Sequence, residues 1–108
     1  MSAPFVTTLR SRPSTIRLAA DGGEAITIRV EMPEVWDVVA IVVAPDEPVV
    51  VVKQRALEAL FPEAAMHQDF VVKLRGWEVL DESESLVNAG VLDGSILLLT
   101  HRRRRAVR

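Results

Sequence analysis

The side chains that could perform chemistry in this chain are few and lie far apart in the sequence. Its 108 residues include two histidines, His67 and His101, and no cysteine. Neither histidine has a partner at the spacing of a metal site, so a solvated surface role fits both better than a ligand role. The lack of cysteine excludes disulfides, thiolate nucleophiles and cysteine-ligated metals together.

The acidic and hydroxyl residues also lack a catalytic arrangement. Asp81, Glu82 and Glu84 cluster in a polar stretch, where carboxylates are usually solvated, and the glycine of a calcium-binding loop is missing. The serines between 83 and 95 follow no nucleophile-elbow pattern. Gly22-Gly23 lacks the lysine of a phosphate-binding loop. The sequence therefore predicts a protein that is not an enzyme and has no cofactor, no catalytic residue and no metal ligand.

Composition favours one folded domain in a reducing compartment. A hydrophobic fraction of 49% is typical of globular proteins, and 108 residues suffice for one modest core. The longest apolar run, 38–44, has the length of a strand, which predicts that no segment spans a membrane. No apolar segment of a secretory signal follows Arg10. We therefore expect a cytoplasmic protein.

Charge is distributed unevenly along the chain. The formal net charge is −2, but residues 101–108 contain five arginines and no acid, so residues 1–100 carry −7. A basic tail at 102–108 is either merely solvated, binds an anionic partner, or folds back onto the acidic stretch 81–84. Exposed ion pairs contribute only about 0–1 kcal/mol, so we expect a largely mobile tail. Nucleic acid is the weaker interpretation, because no aromatic residues are interleaved with the arginines.

The alternation of apolar residues and the positions of proline, serine and glycine predict the first half of the fold. Residues 1–24 are interrupted by proline, serine and glycine and are interpreted as a flexible leader, within which 15–18 could add a strand. Residues 25–32 and 37–44 alternate between apolar and polar or small side chains, which predicts two strands joined as a hairpin.

The second half contains one conflict between local preferences. Four β-branched residues at 49–52 favour a strand, but Asp46 stands where a helix N-cap belongs and a strongly helical stretch follows. We predict a helix over 48–61 and strands at 70–74 and 96–101. The order ββαββ predicts an α+β fold, a four-stranded mixed sheet packed on one helix. The predicted core comprises Val39, Ile41, Val52, Leu60, Val72, Leu74, Leu86, Leu97 and Leu99.

Ordered motifs in residues 25–101 resemble a ubiquitin-like β-grasp domain. The motifs are Val52-Lys53 in the helix, Leu74-Arg75-Gly76 at a strand turn, Leu80 before the long loop, Leu86 within it, and Val91 and Gly94-Ser95 before the last strand. Matching Leu80 requires one extra residue after Gly76. The resemblance implies a domain at 25–101, preceded by the leader 1–24 and followed by the basic tail 102–108.

The resemblance also implies a function. Ubiquitin-like proteins of this size are usually binding modules, and conjugated members end in Gly-Gly, whereas residues 102–108 contain no glycine. We expect a non-conjugated interaction module. The small bacterial proteins of the YukD and EsaB kind, linked to type VII secretion, are similar in architecture. An accessory subunit of a multicomponent enzyme and, less favoured, a covalent modifier remain as alternatives.

Candidate partner-binding residues follow from the face that ubiquitin uses for recognition. Lys73, Leu98 and Thr100 occupy the corresponding positions, with lysine in place of the central aliphatic residue. The full candidate set is Lys73, Arg75, Trp77, Leu98, Thr100, Arg102, Arg103, Arg104 and Arg105. Trp36 and Trp77 fall in predicted turns, where a tryptophan either caps the edge of a sheet or is exposed as an interface anchor. The predicted partner is a protein, bound by the sheet face and the basic tail.

Overall fold

The alternating strands bury one side, and the amphipathic helix covers it. The computed structural model describes residues 15–64 and 66–102. Its strands and helix are β1 (Thr15–Arg17), β2 (Ile26–Met32), β3 (Asp37–Val43), α1 (Val49–Leu60), β4 (Phe70–Leu74), β5 (Trp77–Glu78) and β6 (Ile96–His101). Short 3-10 turns at Pro33–Val35 and His67–Asp69 precede β3 and β4.

The strands form one mixed sheet in the order β1-β3-β2-β6-β4-β5. β2 and β3 pair antiparallel, from Ile26 opposite Val43 to Met32 opposite Asp37. β6 lies between β2 and β4, parallel to the first and antiparallel to the second. The predicted α+β β-grasp class is confirmed. The sheet has two more strands than predicted, because the short edge strands β1 and β5 extend it.

The edge strand β1 lies where the sequence allowed a strand at 15–18, so this part of the segment 1–24 is ordered. β1 pairs in parallel with β3, with Thr15 opposite Ala40. The side chain of Ile16 packs against the core. The open edge of β3 supplies hydrogen bonds that a short segment of mixed composition can use, which composition alone does not reveal. The remaining part of the leader, residues 1–14, lies outside the described residues.

The start of α1 is capped differently from the prediction. Pro48 is the N-cap residue and makes no side-chain capping hydrogen bond, so the assignment of Asp46 as N-cap is wrong. The first two helical N–H groups instead donate to the carbonyl oxygens of Glu84 and Glu82, at 2.9 and 2.8 Å. These tertiary hydrogen bonds, with the burial of two of the four valines at 49–52, outweigh the local preference for a strand.

One charged side chain is buried among the described residues. Lys53, in α1, is 1% exposed, and its Nζ donates to Oε1 and Oε2 of Glu82 at 2.9 and 3.0 Å. The side chain of Glu82 is itself only 18% exposed. The expectation of a solvated carboxylate is therefore wrong for Glu82. This ion pair joins the long loop after β5 to the helix.

All nine predicted core residues lie in the buried cluster between α1 and the sheet. The motif assignment of Leu80 is wrong, because its side chain is 84% exposed. Val79 packs against the core instead, and its N–H donates to the carbonyl of Val72 at 2.8 Å. With Val79 in that place, no extra residue is needed after Gly76.

Candidate interaction surface

α1 covers one face of the sheet and leaves the opposite side, here called the outer face, open. Directly paired residues point to the same side of a sheet, so the strand register identifies neighbours on this face. One row crosses five strands, from β3 to β5, and consists of Val38, Glu31, Leu98, Lys73 and Glu78. The centre of the outer face therefore combines two apolar side chains with charged groups of both signs.

Three predicted site residues meet on the outer face. Lys73 and Leu98 are directly paired at its centre, and both are partly exposed. Thr100 lies on the same side, opposite Val71. The structure thus brings these three side chains together, and their role in binding stays a prediction.

Glu34 fixes the β2–β3 turn onto the end of β6. Its Oε2 accepts hydrogen bonds from the hydroxyl of Thr100 at 2.8 Å and from the backbone N–H of His101 at 2.9 Å. Partial burial raises the pKa of the Glu34 carboxyl. The hydrogen bonds from His101, Thr100 and its own backbone, with the charge of His101, outweigh burial and hold this pKa below its ordinary value of 4.5.

Replacing Glu34 by glutamine is expected to change the acid sensitivity of the fold. A carboxyl whose pKa is lowered by folding contributes stability above its unfolded pKa, and this contribution is lost as pH falls through the folded pKa. The wild type should therefore be more stable than Glu34→Gln near neutral pH, with the difference shrinking below the ordinary value of 4.5. Urea unfolding across this range measures it. A difference that is constant with pH would contradict the role given to Glu34.

Arg75 and Trp77 lie at the other end of β4, away from Thr100. Arg75 has a left-handed backbone with φ 53°, and Gly76 follows with φ 84°, which together turn β4 into β5. The Arg75 guanidinium is 3.5 Å from the carbonyl oxygen of Gly90. Trp77 is paired with Leu74, whose side chain belongs to the core, so Trp77 points to the helix side of the sheet edge. The structure therefore separates Trp77 from the outer face.

Both tryptophans are exposed, so the interpretation as edge caps is wrong. Trp77 is 79% exposed and Trp36 is 93% exposed. Trp36 stands at the tip of the β2–β3 turn with φ 56° and ψ 44°, and its N–H donates to the carbonyl of Pro33 at 3.0 Å. Beside it lies a cleft of about 360 Å³, here called the hairpin cleft, which is lined by Glu31, Pro33, Trp36, Asp37 and Val38.

The basic tail begins at a different place from the acidic loop. The N–H of Arg102 donates to the carbonyl of Asp69 at 2.6 Å, and Nη1 of Arg102 lies 3.6 Å from Oε2 of Glu78. Nε of Arg102 also donates to the carbonyl oxygen of Gln68 at 3.2 Å, so the contacts of Arg102 are with residues 68, 69 and 78 and not with 81–84. Folding back onto 81–84 is therefore wrong for Arg102. Residues 103–105, the other tail candidates, lie outside the described residues.

The histidine and acidic side chains of the described residues form no metal site. Within 15–64 and 66–102, no group of three or more histidine, aspartate or glutamate side chains could hold a metal ion. Nδ1 of His67 is buried without a hydrogen-bond partner, and His101 packs its ring edge-on against Phe70. The expectation of a freely solvated imidazole is therefore wrong for His67. No helix in this part of the chain is long and apolar enough to cross a membrane.

The sequence interpretation missed several aliphatic residues of the outer face. Val38 and Ile96 are 44% and 47% exposed, and Ala40 and Val42 lie partly exposed beside Val38 on β3. The signal was present in the sequence. Once Val39, Ile41 and Val43 are assigned to the core, the alternate residues of the same strand are apolar as well, and these must face outward.

Comparison with known proteins defines the fold. No protein-family model and no curated protein sequence matches the chain. The C-terminal ubiquitin-like domain of mouse tubulin-specific chaperone e superposes with a TM-score of 0.64 at 14% identity, covering 83% of this chain and 99% of that one. A ubiquitin of Caldiarchaeum subterraneum superposes with a TM-score of 0.62 at 18% identity, covering 77% of this chain and 100% of that one. A ubiquitin-like domain of Arabidopsis thaliana superposes with a TM-score of 0.62 at 17% identity, covering 84% of this chain and 93% of that one. The chain therefore has the ubiquitin-like β-grasp fold.

Proposed function

We propose that this protein is a non-catalytic interaction module that binds a protein partner through the outer face of its sheet. The observation that carries this proposal is the row from Val38 to Glu78, which α1 leaves open and which combines apolar side chains with charges of both signs. Protein interfaces combine apolar contact area with charged groups that select the partner. The fold of ubiquitin-like domains, which present sheet faces to partners, supports the same function.

Lys73 gives this surface its own specificity. It is paired with Leu98, so one cation stands beside the central apolar side chain of the outer face. A partner that covered Lys73 with an apolar group would bury an unpaired ammonium, which is costly. The fitting partner presents an apolar side chain to Leu98 and a carboxylate to Lys73. Domains that recognise ubiquitin contact an aliphatic residue at the position equivalent to Lys73. We infer that such domains do not bind the outer face of this protein.

The proposal extends to the cellular system in which the protein acts. An accessory role at a bacterial type VII-like secretion system is favoured by the architectural resemblance stated above, and a subunit of a multicomponent enzyme is the alternative. Affinity capture of the partner from the native host separates these two roles, because the identity of the partner differs between them. Incubation with activating enzymes and ATP from the native host separates both from a covalent modifier, because the proposal expects no thioester and no isopeptide-linked adduct.

Deleting residues 103–108 is expected to weaken partner binding while leaving thermal stability nearly unchanged. Arg102 is kept, because it bonds to Asp69 and pairs with Glu78. The deleted segment carries four arginines, and exposed charges are screened over about 8 Å at physiological ionic strength. The loss of affinity should therefore be large at low salt and small at high salt.

Titration calorimetry of both forms with the captured partner, at two salt concentrations, measures this effect. A matched control replaces the four arginines by lysine, which retains the charge. If the truncated form binds as tightly as the full chain at both salt concentrations, the tail takes no part in binding.

A further inference from the structure

The row across the outer face places opposite charges on the two sides of one apolar residue. Leu98 is directly paired with Lys73 on β4 and with Glu31 on β2. Neighbouring strands lie about 4.8 Å apart, so the two charged residues stand at about the same distance from Leu98. The partner that fits this surface presents an apolar side chain to Leu98 and a carboxylate to Lys73. The row itself carries both of these groups.

Both charged side chains can pair with groups from another molecule. Among the ion pairs of residues 15–64 and 66–102, none involves Glu31 or Lys73. Glu78 lies directly opposite Lys73, but its Oε2 is 3.6 Å from Nη1 of Arg102. A carboxylate from outside can therefore pair with Lys73, and a cation from outside can pair with Glu31.

Symmetry decides how a second copy of the chain would meet these charges. When two copies pack face to face, the two-fold axis lies between the sheets, either across the strands or along them. An axis across the strands sets each glutamate opposite the same glutamate, and each lysine opposite the same lysine. An axis along β6 through Leu98 reverses the row. Glu31 of each copy then faces Lys73 of the other, and both ion pairs form at once.

The same axis brings the apolar residues of β6 together. Ile96 and Leu98 both point to the outer face, because they pair with Arg29 and Glu31 on β2. Ile96 is 47% exposed, and Leu98 is half-buried. Residues that lie along a two-fold axis meet their own equivalents, so these side chains form an apolar seam. Stacked sheets lie about 10 Å apart, a gap that a glutamate and a lysine side chain can bridge together.

The size of the outer face sets the strength of such a contact. Five strands about 4.8 Å apart make a face about 20 Å wide. Two faces of this size bury on the order of 1,000 Å² in total, at the lower end of specific interfaces. A dimer of this kind is expected to dissociate on dilution.

We propose that the protein partner of the outer face is a second copy of this chain, in a two-fold dimer that stacks the two sheets along β6. Two ion pairs join Glu31 of each copy to Lys73 of the other, and Leu98 forms the centre of the apolar seam. This inference rests on the function proposed for the outer face and names the partner.

Sedimentation equilibrium of the full chain over a concentration series tests the dimer. The average mass of wild type should rise from that of one chain toward that of two. Glu31→Lys and Lys73→Glu should each weaken self-association about tenfold or more, because each variant opposes like charges twice. An equimolar mixture of the two variants should associate about as well as wild type, because both contacts then join opposite charges. A variant that had merely lost its fold would not be rescued in this way.

The matched controls place the same charge reversals on the helix side of the molecule. Glu58→Lys and Arg55→Glu change exposed residues of α1 and should leave self-association unchanged. A wild type that stays monomeric at every concentration would overturn the inference, and so would a mixture that associates no better than its components. Capture of a different protein that is lost with Leu98→Arg would overturn the inference but support the proposed function. If neither self-association nor capture depends on Leu98, both are wrong.

Discussion

Replacing Glu82 by alanine is expected to destabilise the fold by about 3–5 kcal/mol, because the change leaves a buried charge without its partner. Lys53 is 1% exposed, and Glu82 provides both of its side-chain hydrogen bonds. The backbone carbonyl of Glu82, which caps α1, is unaffected by this substitution. Urea unfolding of wild type and Glu82→Ala measures the difference.

The controls for this prediction use a second ion pair and a double substitution. Nε of Arg55 and Oε1 of Glu58 lie 3.8 Å apart on the exposed side of α1. Glu58→Ala should therefore lower the free energy of unfolding by only about 0–1 kcal/mol. Lys53→Met combined with Glu82→Leu removes both charges and should recover most of the lost stability. If Glu82→Ala were as mild as Glu58→Ala, the Lys53–Glu82 pair would not hold the loop to the helix.

Truncating Leu60 to alanine is expected to cost about 2–5 kcal/mol, the usual effect of removing a buried leucine side chain. Leu60 is 5% exposed and packs at the end of α1 within the central cluster. The matched control is Leu80→Ala, the same chemical change at a side chain that is 84% exposed, which should alter stability by less than about 0.5 kcal/mol. Chemical denaturation of both variants provides the comparison, and equal effects would refute the placement of α1 on the sheet.

The long elements could be predicted because their patterns are regular. Alternation identified β2 and β3. The strongly helical stretch after residue 52 identified α1, although residues 49–52 favour a strand. Each was right because the side-chain period already selects the buried face. The exposed aliphatic residues of β3 could also be derived, since an apolar alternate face must point outward.

The remaining features depend on contacts between distant segments. The pairing of Lys53 with Glu82 joins residues 29 positions apart, and neither residue type is ordinarily buried. The strand β1, which the sequence allowed at 15–18, forms by pairing with an open edge of the distant strand β3. The left-handed backbone of Trp36 is fixed by the 3-10 turn at Pro33–Val35 and by the bonds of Glu34 to β6. Local propensity carries no information about such contacts.

Affinity capture from the native host with three immobilised forms tests the central claim, that the outer face binds a protein partner. The forms are wild type, Leu98→Arg at the centre of the outer face, and Leu80→Arg at an exposed leucine outside the strands. Wild type and Leu80→Arg should retain the same partner, while Leu98→Arg loses it without a change in thermal unfolding. Retention of that partner by Leu98→Arg would contradict the claim.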